Sequence, residues 1–133
     1  MLELGRSQLR LNVVDDQVGC PTWARNLARA TVQLVSRWQS GHRALKEGLC
    51  HYCDRDPTTW YDFAGLIFAT AVRLGLLEQL PQLRRVSSSE FPQAAARPRF
   101  SVLDTGVAAA AGARPEPLAA SLEACLQEMS LDE

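Results

Sequence analysis

The chain has 133 residues, enough for one domain with a core but short for an enzyme that must hold both a dinucleotide and a second substrate. Its 14 basic and 15 acidic residues give a net charge of −1, so no large field favours nucleic acid or an anionic membrane surface. No apolar run approaches the roughly 20 residues that span a bilayer, and no secretory signal opens the chain. We therefore expect a cytoplasmic protein whose four cysteines are reduced thiols.

The first third of the chain predicts a helix end, a strand and a longer helix. Residues 2–8 have helical spacing but too few turns to stand alone, and residues 9–14 alternate and then become β-branched, as in a half-buried strand. A helix follows, with Thr22 as its N-cap and Gly41 beyond its end. Its apolar stripe, which we expect to be buried, consists of Trp23, Leu27, Ala30, Thr31, Leu34 and Trp38.

The middle of the chain predicts a strand at residues 48–53, a turn at 54–57, and a helix from Thr58 or Thr59 to about Leu74, with Gly75 at its end. The apolar face of this helix consists of Trp60, Phe63, Ala64, Ile67, Phe68 and Ala71. We assign its aromatic residues to the core rather than to a base-stacking platform.

The last third continues the alternation of strand and helix. Residues 83–86 predict a strand, 87–92 a capped turn and 93–99 a loop. Asp104 or Thr105 can cap an alanine-rich helix that ends near Gly112, and Pro117 opens a final helix. The fold class that follows is α/β.

Three segments in this order and at these separations carry a resemblance to a known family: VDDQVGCPT at residues 14–22, TWYDFA at 59–64 and RPRFSVLDT at 97–105. They resemble dTDP-4-dehydrorhamnose reductase, an extended short-chain dehydrogenase/reductase. The resemblance implies that residues 1–133 are one incomplete domain, the C-terminal, substrate-binding portion of a Rossmann-type fold without its N-terminal dinucleotide-binding region. The family reaction is the NADPH-dependent reduction of dTDP-4-dehydro-L-rhamnose to dTDP-L-rhamnose.

The residues that such a reduction requires are missing from these 133 positions. The eight glycines form no glycine-rich strand-to-helix turn for a pyrophosphate. The family's proton donor is a tyrosine followed four residues later by a lysine, but Tyr52 and Tyr61 are followed at that distance by Asp56 and Gly65. We therefore expect no catalytic residue, no bound NADPH and little or no turnover from this chain alone.

The resemblance implies that two loops lie near a bound dTDP-sugar, and it points to four contact residues. Arg97 is the first candidate, because a guanidinium stays ionised and its planar fork of donors matches phosphate oxygens. Gln17, Ser101 and Thr22 are the others. The alternatives are a solvated or ion-paired Arg97, an N-cap role for Thr22 and backbone bonding by Gln17 and Ser101.

Other candidate sites favour structural interpretations. Adjacent side chains at a strand end point apart, so Asp15 and Asp16 are expected to shape the turn rather than to bind a metal. Cys50 and Cys53 have a CxxC spacing but no second ligand pair, and on a strand they would face opposite ways. The family usually has a tyrosine where Cys50 stands and a lysine near Val107.

Two rival functions remain open. One is a non-catalytic regulatory or protein-interaction module, since the family resembles the regulatory β subunit of methionine adenosyltransferase. The other is a complementing half that associates with a separate Rossmann-domain chain or with itself, because a fragment cut from a fold leaves apolar helix faces uncovered.

Overall fold

A computed structural model describes residues 1–45, 49–91 and 94–130. The described helices are α1 (Leu2–Ser7), α2 (Ala24–Gln39), α3 (Trp60–Arg73), α4 (Gly106–Ala110) and α5 (Leu118–Met129). The described strands are β1 (Arg10–Val14), β2 (Val18–Gly19), β3 (Thr58–Thr59) and β4 (Gln82–Val86), and short 3₁₀ turns lie at Arg43–Leu45 and Ser88–Glu90. Every described helix is too short or too polar to span a lipid bilayer.

The strands form two small sheets. β1 and β4 are parallel, in register from Arg10 with Gln82 to Val14 with Val86. A parallel pair needs a long crossover, and α2 and α3 lie within this one. β2 pairs antiparallel with β3, where Val18 faces Thr59. The α/β class and the strands predicted at 9–14 and 83–86 are confirmed.

The hydrophobic core lies where α3 packs on β1, α1 and α5. Its buried members are Leu11, Ala64, Ile67, Phe68, Ala71, Leu77, Leu122 and Leu126. Helix α3 begins and ends as predicted, since the Asp62 N–H donates to Thr59 Oγ1 at 3.1 Å and Gly75 has a φ of +74°. The core role predicted for Trp60 is wrong: this first residue of α3 is 54% exposed and lies among three cavities at the edge of the core.

Helix α2 corrects two predictions. Its N-cap is Trp23, not Thr22, because the Trp23 N–H donates to the carboxylate of Asp54. Its predicted apolar stripe is largely exposed, with Leu27 46% and Trp38 63% exposed. The same Asp54 carboxylate accepts a hydrogen bond from the Asn26 side chain, which attaches the Asn26 side of α2 to the segment around Asp54. A small second cluster of Ala30, Ala108 and Ala113, flanked by Leu34 and Tyr52, is the apolar packing on this side.

The strand predicted at 48–53 is also wrong. Gly48 lies outside the described residues, and residues 49–53 form no strand. The segment instead continues irregularly between α2 and α5, where the Asp54 N–H bonds the Thr22 hydroxyl and the Arg55 N–H bonds the Glu116 carbonyl. A local alternation of apolar and polar residues cannot predict hydrogen-bond partners that lie far away in the sequence.

The predicted caps in the last third are confirmed. Ser87 and Glu90 form a capping box around the 3₁₀ turn, and Asp104 Oδ1 accepts the Gly106 N–H at 2.8 Å at the start of α4. Pro92 and Gln93 lie outside the described residues, and residues 94–99 form the predicted loop. Helix α5 begins directly after Pro117.

Candidate functional site

All four predicted contact residues line one cleft of about 450 Å³. Gln17 and Thr22 come from the loop between β1 and α2, and Arg97 and Ser101 come from the loop before α4. The cleft also has walls that sequence reasoning did not assign: Leu27, Tyr52, Cys53, Thr58, Trp60 and Leu103. Thr59 and Trp60 belong to the second segment of the family resemblance, which was the one available signal for that wall.

Backbone hydrogen bonds through Val18 hold the cleft loops together. The Val18 N–H donates to the Arg99 carbonyl at 2.8 Å, and the Ser101 N–H donates to the Val18 carbonyl at 2.9 Å. A Cβ at Gly19 would lie 2.9 Å from Ser101 Oγ, which is too close for a real side chain. The glycine therefore lets the Ser101 loop approach β2, and the Ser101 hydroxyl itself donates to the Val18 carbonyl at 3.2 Å.

Gln17 is oriented by a chain of polar contacts at the cleft edge. Its Nε2 donates to Ser88 Oγ at 2.8 Å, and Ser88 Oγ donates in turn to Asp16 Oδ1 at 2.6 Å. The Ser88 N–H also bonds the Asp16 carboxylate. These bonds from Ser88 lower the pKa of Asp16 below its usual value. The side-chain amide of Gln17 is thus held in place before any ligand arrives.

Asp15 points to other partners than Asp16, as expected of neighbours at a strand end. Its Oδ1 accepts the Thr59 hydroxyl at 2.8 Å, and its Oδ2 accepts the Arg85 guanidinium at 2.6 Å. The Thr59 hydrogen bond is the largest cause of its lowered pKa, with Arg85 adding to it against partial burial. Arg85 also lies over the Tyr61 ring, 4.2 Å from its centroid. Asp15 therefore anchors the start of α3 beside the cleft.

The buried carboxylate of Asp54 organises the other side of the cleft. It accepts the Trp23 N–H at 3.1 Å, Asn26 Nδ2 at 2.9 Å and the Tyr52 hydroxyl at 3.2 Å. Asn26 Nδ2 also donates to Ser121 Oγ at 2.8 Å, so the network reaches α5. Burial, reinforced by the Asp54 charge, raises the pKa of Tyr52 to about 12. The sequence marked Asp54 only as a turn residue, because nothing local to it indicates burial.

The Thr22 hydroxyl both donates and accepts a hydrogen bond within the protein. Thr22 Oγ1 donates to the Cys20 carbonyl at 3.0 Å and accepts the Asp54 N–H at 3.1 Å. It lines the cleft, but its hydroxyl closes the loop onto the Asp54 segment instead of capping α2.

The starts of α2, α3 and α5 already bond acceptors from this chain. The pyrophosphate of a dinucleotide cofactor needs a glycine-rich turn and open N–H groups at a helix N-terminus. The start of α2 faces the Asp54 carboxylate, the start of α5 faces the Asp56 carboxylate at 3.1 Å from the Leu118 N–H, and the start of α3 is capped by Thr59. Within the described ranges no group of three His, Cys, Asp or Glu residues could hold a metal ion.

The comparisons with known proteins agree on one family. The family model described as the RmlD substrate binding domain matches residues 1–131. A dTDP-4-dehydrorhamnose reductase of Aggregatibacter actinomycetemcomitans is 34% identical over 116 residues, covering 86% of this chain and 39% of the relative. The spore coat polysaccharide biosynthesis protein SpsK of Bacillus subtilis is 30% identical over 131 residues, covering 98% of this chain and 41% of the relative.

Solved structures give the same result. A dTDP-4-dehydrorhamnose reductase ortholog from Clostridium acetobutylicum superposes with a TM-score of 0.78 at 27% identity, over 97% of this chain and 42% of that one. The reductase of Bacillus anthracis, solved in complex with NADP, gives 0.74 at 26% identity, over 99% and 41%. This chain therefore spans about two-fifths of the length of these relatives, and it belongs to the RmlD substrate binding domain family, similar to that portion of the dTDP-4-dehydrorhamnose reductases.

Proposed function

We propose that this chain is the sugar-nucleotide-binding portion of a dTDP-4-dehydrorhamnose reductase, and that its cleft takes the dTDP-linked deoxyhexose. The single observation that carries the proposal is that Gln17, Thr22, Arg97 and Ser101, from two segments far apart in sequence, line one cleft. In the complete enzyme NADPH reduces dTDP-4-dehydro-L-rhamnose to dTDP-L-rhamnose. The hydride and proton come from the part of the reductase that these residues do not represent.

Within the cleft, Arg97 binds the diphosphate and the neighbouring polar groups orient the ligand. Pro98 restricts the backbone of the loop that presents Arg97. The backbone hydrogen bonds of Val18 to Arg99 and Ser101 hold the same loop against β2. The Gln17 amide, held by Ser88, supplies directional hydrogen bonding at the edge of the cleft. A guanidinium in such a partly apolar cleft makes stronger contacts to phosphate oxygens than it would in water.

Calorimetric titration of the purified chain with thymidine diphosphate tests this function. We expect saturable binding, and Arg97→Ala should weaken the affinity about 10- to 100-fold because a charge-assisted contact is lost. The affinity of Arg97→Lys should be intermediate, because lysine keeps the charge but lacks the planar set of guanidinium donors. Arg114→Ala is the matched control, since Arg114 is an exposed loop arginine outside the cleft. Absence of binding, or an Arg97→Ala variant that binds like the parent, contradicts the proposal.

An uncovered apolar groove supports association with a dinucleotide-binding portion. The groove, of about 300 Å³, lies beside β1 and α3 and is lined mainly by Met1, Leu4, Leu11, Val13, Trp60, Phe63, Ile67 and Phe91. Among the described strands, β1 and β4 have no neighbour beyond each other, and small parallel sheets of this kind are normally covered on both faces. The rest of a reductase, contributed by the same or a separate chain, is the occupant that we propose.

The same groove also favours a second candidate, the non-catalytic protein-interaction module. The two are distinguished by mixing the chain with the dinucleotide-binding portion of a relative such as the Bacillus anthracis reductase. Oxidation of NADPH with the keto-sugar that appears only on mixing supports the reductase. Stoichiometric binding to another protein without any response to thymidine diphosphate supports the module.

A further inference from the structure

The wall of the cleft contains two thiols that lie far apart in sequence. Cys20 follows β2 and Cys53 precedes Asp54, and both line the cleft. The Thr22 hydroxyl ties their backbones together, because it donates to the Cys20 carbonyl and accepts the N–H of the residue after Cys53. The Cys53 thiol is near enough to Cys20 to be one of the causes that raise the pKa of the Cys20 thiol. The fold thus brings Cys20 and Cys53 side by side.

This pair differs from the one that the CxxC spacing suggested. Cys50 is exposed, whereas Cys53 is buried, so these two side chains lie in different environments. Cys125 lies on α5 and lines a different cavity. Cys20 is half-buried at the surface of the cleft, which makes it the thiol of the pair that a small solute reaches first.

We propose that Cys20 and Cys53 are a redox-modifiable thiol pair that a peroxide converts to a disulfide across the cleft wall. The Cys20 thiolate attacks the O–O bond of the peroxide, which gives a Cys20 sulfenic acid and releases water or an alcohol. The Cys53 thiol then attacks the sulfenic sulfur, the S–S bond forms and water leaves. Two electrons pass from the two thiols to the peroxide, so the step needs no other oxidant.

The surroundings of Cys20 make this pair slow at neutral pH. Burial is the largest cause that raises the pKa of Cys20 to about 11, and Cys53, Asp56 and Asp54, the titratable groups around it, add to the rise. Since the thiolate is the attacking species, the rate of oxidation should rise roughly tenfold for each pH unit between 7 and 10. The pair therefore stays reduced until peroxide is abundant or the solution is alkaline.

The disulfide should also stabilise the fold. It would close a long loop between the segment after β2 and the segment before β3, which restricts the unfolded chain. For a loop of this size the midpoint of thermal unfolding should rise on the order of 10 °C, and the rise should be reversed by a thiol reductant. This consequence does not depend on what the cleft binds.

The experiment treats the fully reduced chain with hydrogen peroxide, alkylates the remaining thiols and maps the peptides by mass spectrometry without reduction. We expect titratable thiols to fall from four to two, with a cross-linked peptide that joins Cys20 to Cys53. A Cys50→Ser/Cys125→Ser double variant is the matched control and should give the same cross-link. Cys53→Ser should leave a Cys20 sulfenic acid that dimedone traps, and Cys20→Ser should leave Cys53 reduced.

Three results would overturn the proposal. They are a cross-link between Cys50 and Cys53 in place of the expected one, over-oxidation of Cys20 without any cross-link in the double variant, and an oxidation rate that does not change between pH 7 and pH 9. If Cys53→Ser fails to fold, the Cys20→Ser variant and the double variant still decide the outcome.

Discussion

Helices α2 and α3 are both amphipathic, but they attach to the rest of the molecule in different ways. Helix α3 packs its apolar side into the core, where Phe68 is 1% exposed and Ala71 is fully buried. Helix α2 leaves Val35 46% and Trp38 63% exposed and is held instead by the polar contacts around Asp54. The starts of the two helices differ as well, because Thr59 caps α3 near the surface and the buried Asp54 carboxylate bonds the start of α2.

This difference shows that an amphipathic pattern predicts an apolar face but does not identify what covers it. The apolar face of α3 packs against β1, α1 and α5. For the stripe of α2 the described residues supply little cover, in a chain that spans about two-fifths of the length of its relatives. The following changes test whether apolar packing stabilises α3 while polar anchoring stabilises α2.

The largest effect should come from Phe68→Ala. Removing this buried ring leaves a cavity between α3 and α1, so we expect the free energy of unfolding to fall by about 3–5 kcal/mol. The matched control is Trp38→Ala on α2, which should change it by no more than about 0.5 kcal/mol because the indole is mostly exposed. Urea unfolding followed by circular dichroism measures both. Equal losses from the two variants would show that α2 buries its stripe.

Asp54→Ala should have the next largest effect. It leaves the Trp23 N–H, the Asn26 amide and the Tyr52 hydroxyl without their acceptor, so we expect a loss of about 3 kcal/mol. Hydrogen exchange should accelerate in α2 far more than in α3. Asp104→Ala is the control, because this exposed carboxylate bonds the start of α4 and its loss should lower the free energy of unfolding by about 1 kcal/mol or less. Uniform acceleration in both helices would contradict the anchoring role.

Much of α3 and of the β1–β4 pair could be predicted because local signals agreed there. The cap at Thr59, the stop at Gly75 and the apolar spacing between them all indicate the same helix. The start of α2 was misplaced by one residue because the Thr22 hydroxyl bonds the backbone of Asp54, a partner remote in sequence. The strand predicted at 48–53 failed for a related reason, since a strand exists only where another pairs with it.

The cleft was predicted in part. Gln17, Thr22, Arg97 and Ser101 were named through the family resemblance, and they line one cleft. Their roles in binding stay predictions. Cys53 and Trp60 were not assigned to the cleft, because their spacing was interpreted as a CxxC pair and a core aromatic, although Trp60 lies in the TWYDFA segment of the family resemblance. Only the tertiary fold shows that Cys53 lines the same cleft as Cys20 and that Trp60 lies at the edge of the core.

The smallest effect concerns the start of α3 and appears as a dependence on pH. The Thr59 hydroxyl first, and then the Arg85 guanidinium, lower the pKa of Asp15 below the ordinary 3.8, so the folded state binds this proton less readily than the unfolded chain. The stabilisation is therefore fully present above about pH 5 and is lost as the pH falls through 3.8 and then through the lower folded value. Because Arg85 is more than half exposed, we expect Asp15→Asn to lower the free energy of unfolding by less than about 1 kcal/mol at pH 7.

Urea titrations of the parent and the variant at pH 7, 5, 4 and 3 test this expectation. The difference between their free energies of unfolding should shrink as the pH falls. A difference that stays constant with pH would mean that the negative charge of Asp15 does not stabilise the start of α3. Asp15 would then act there as a neutral hydrogen-bond acceptor would.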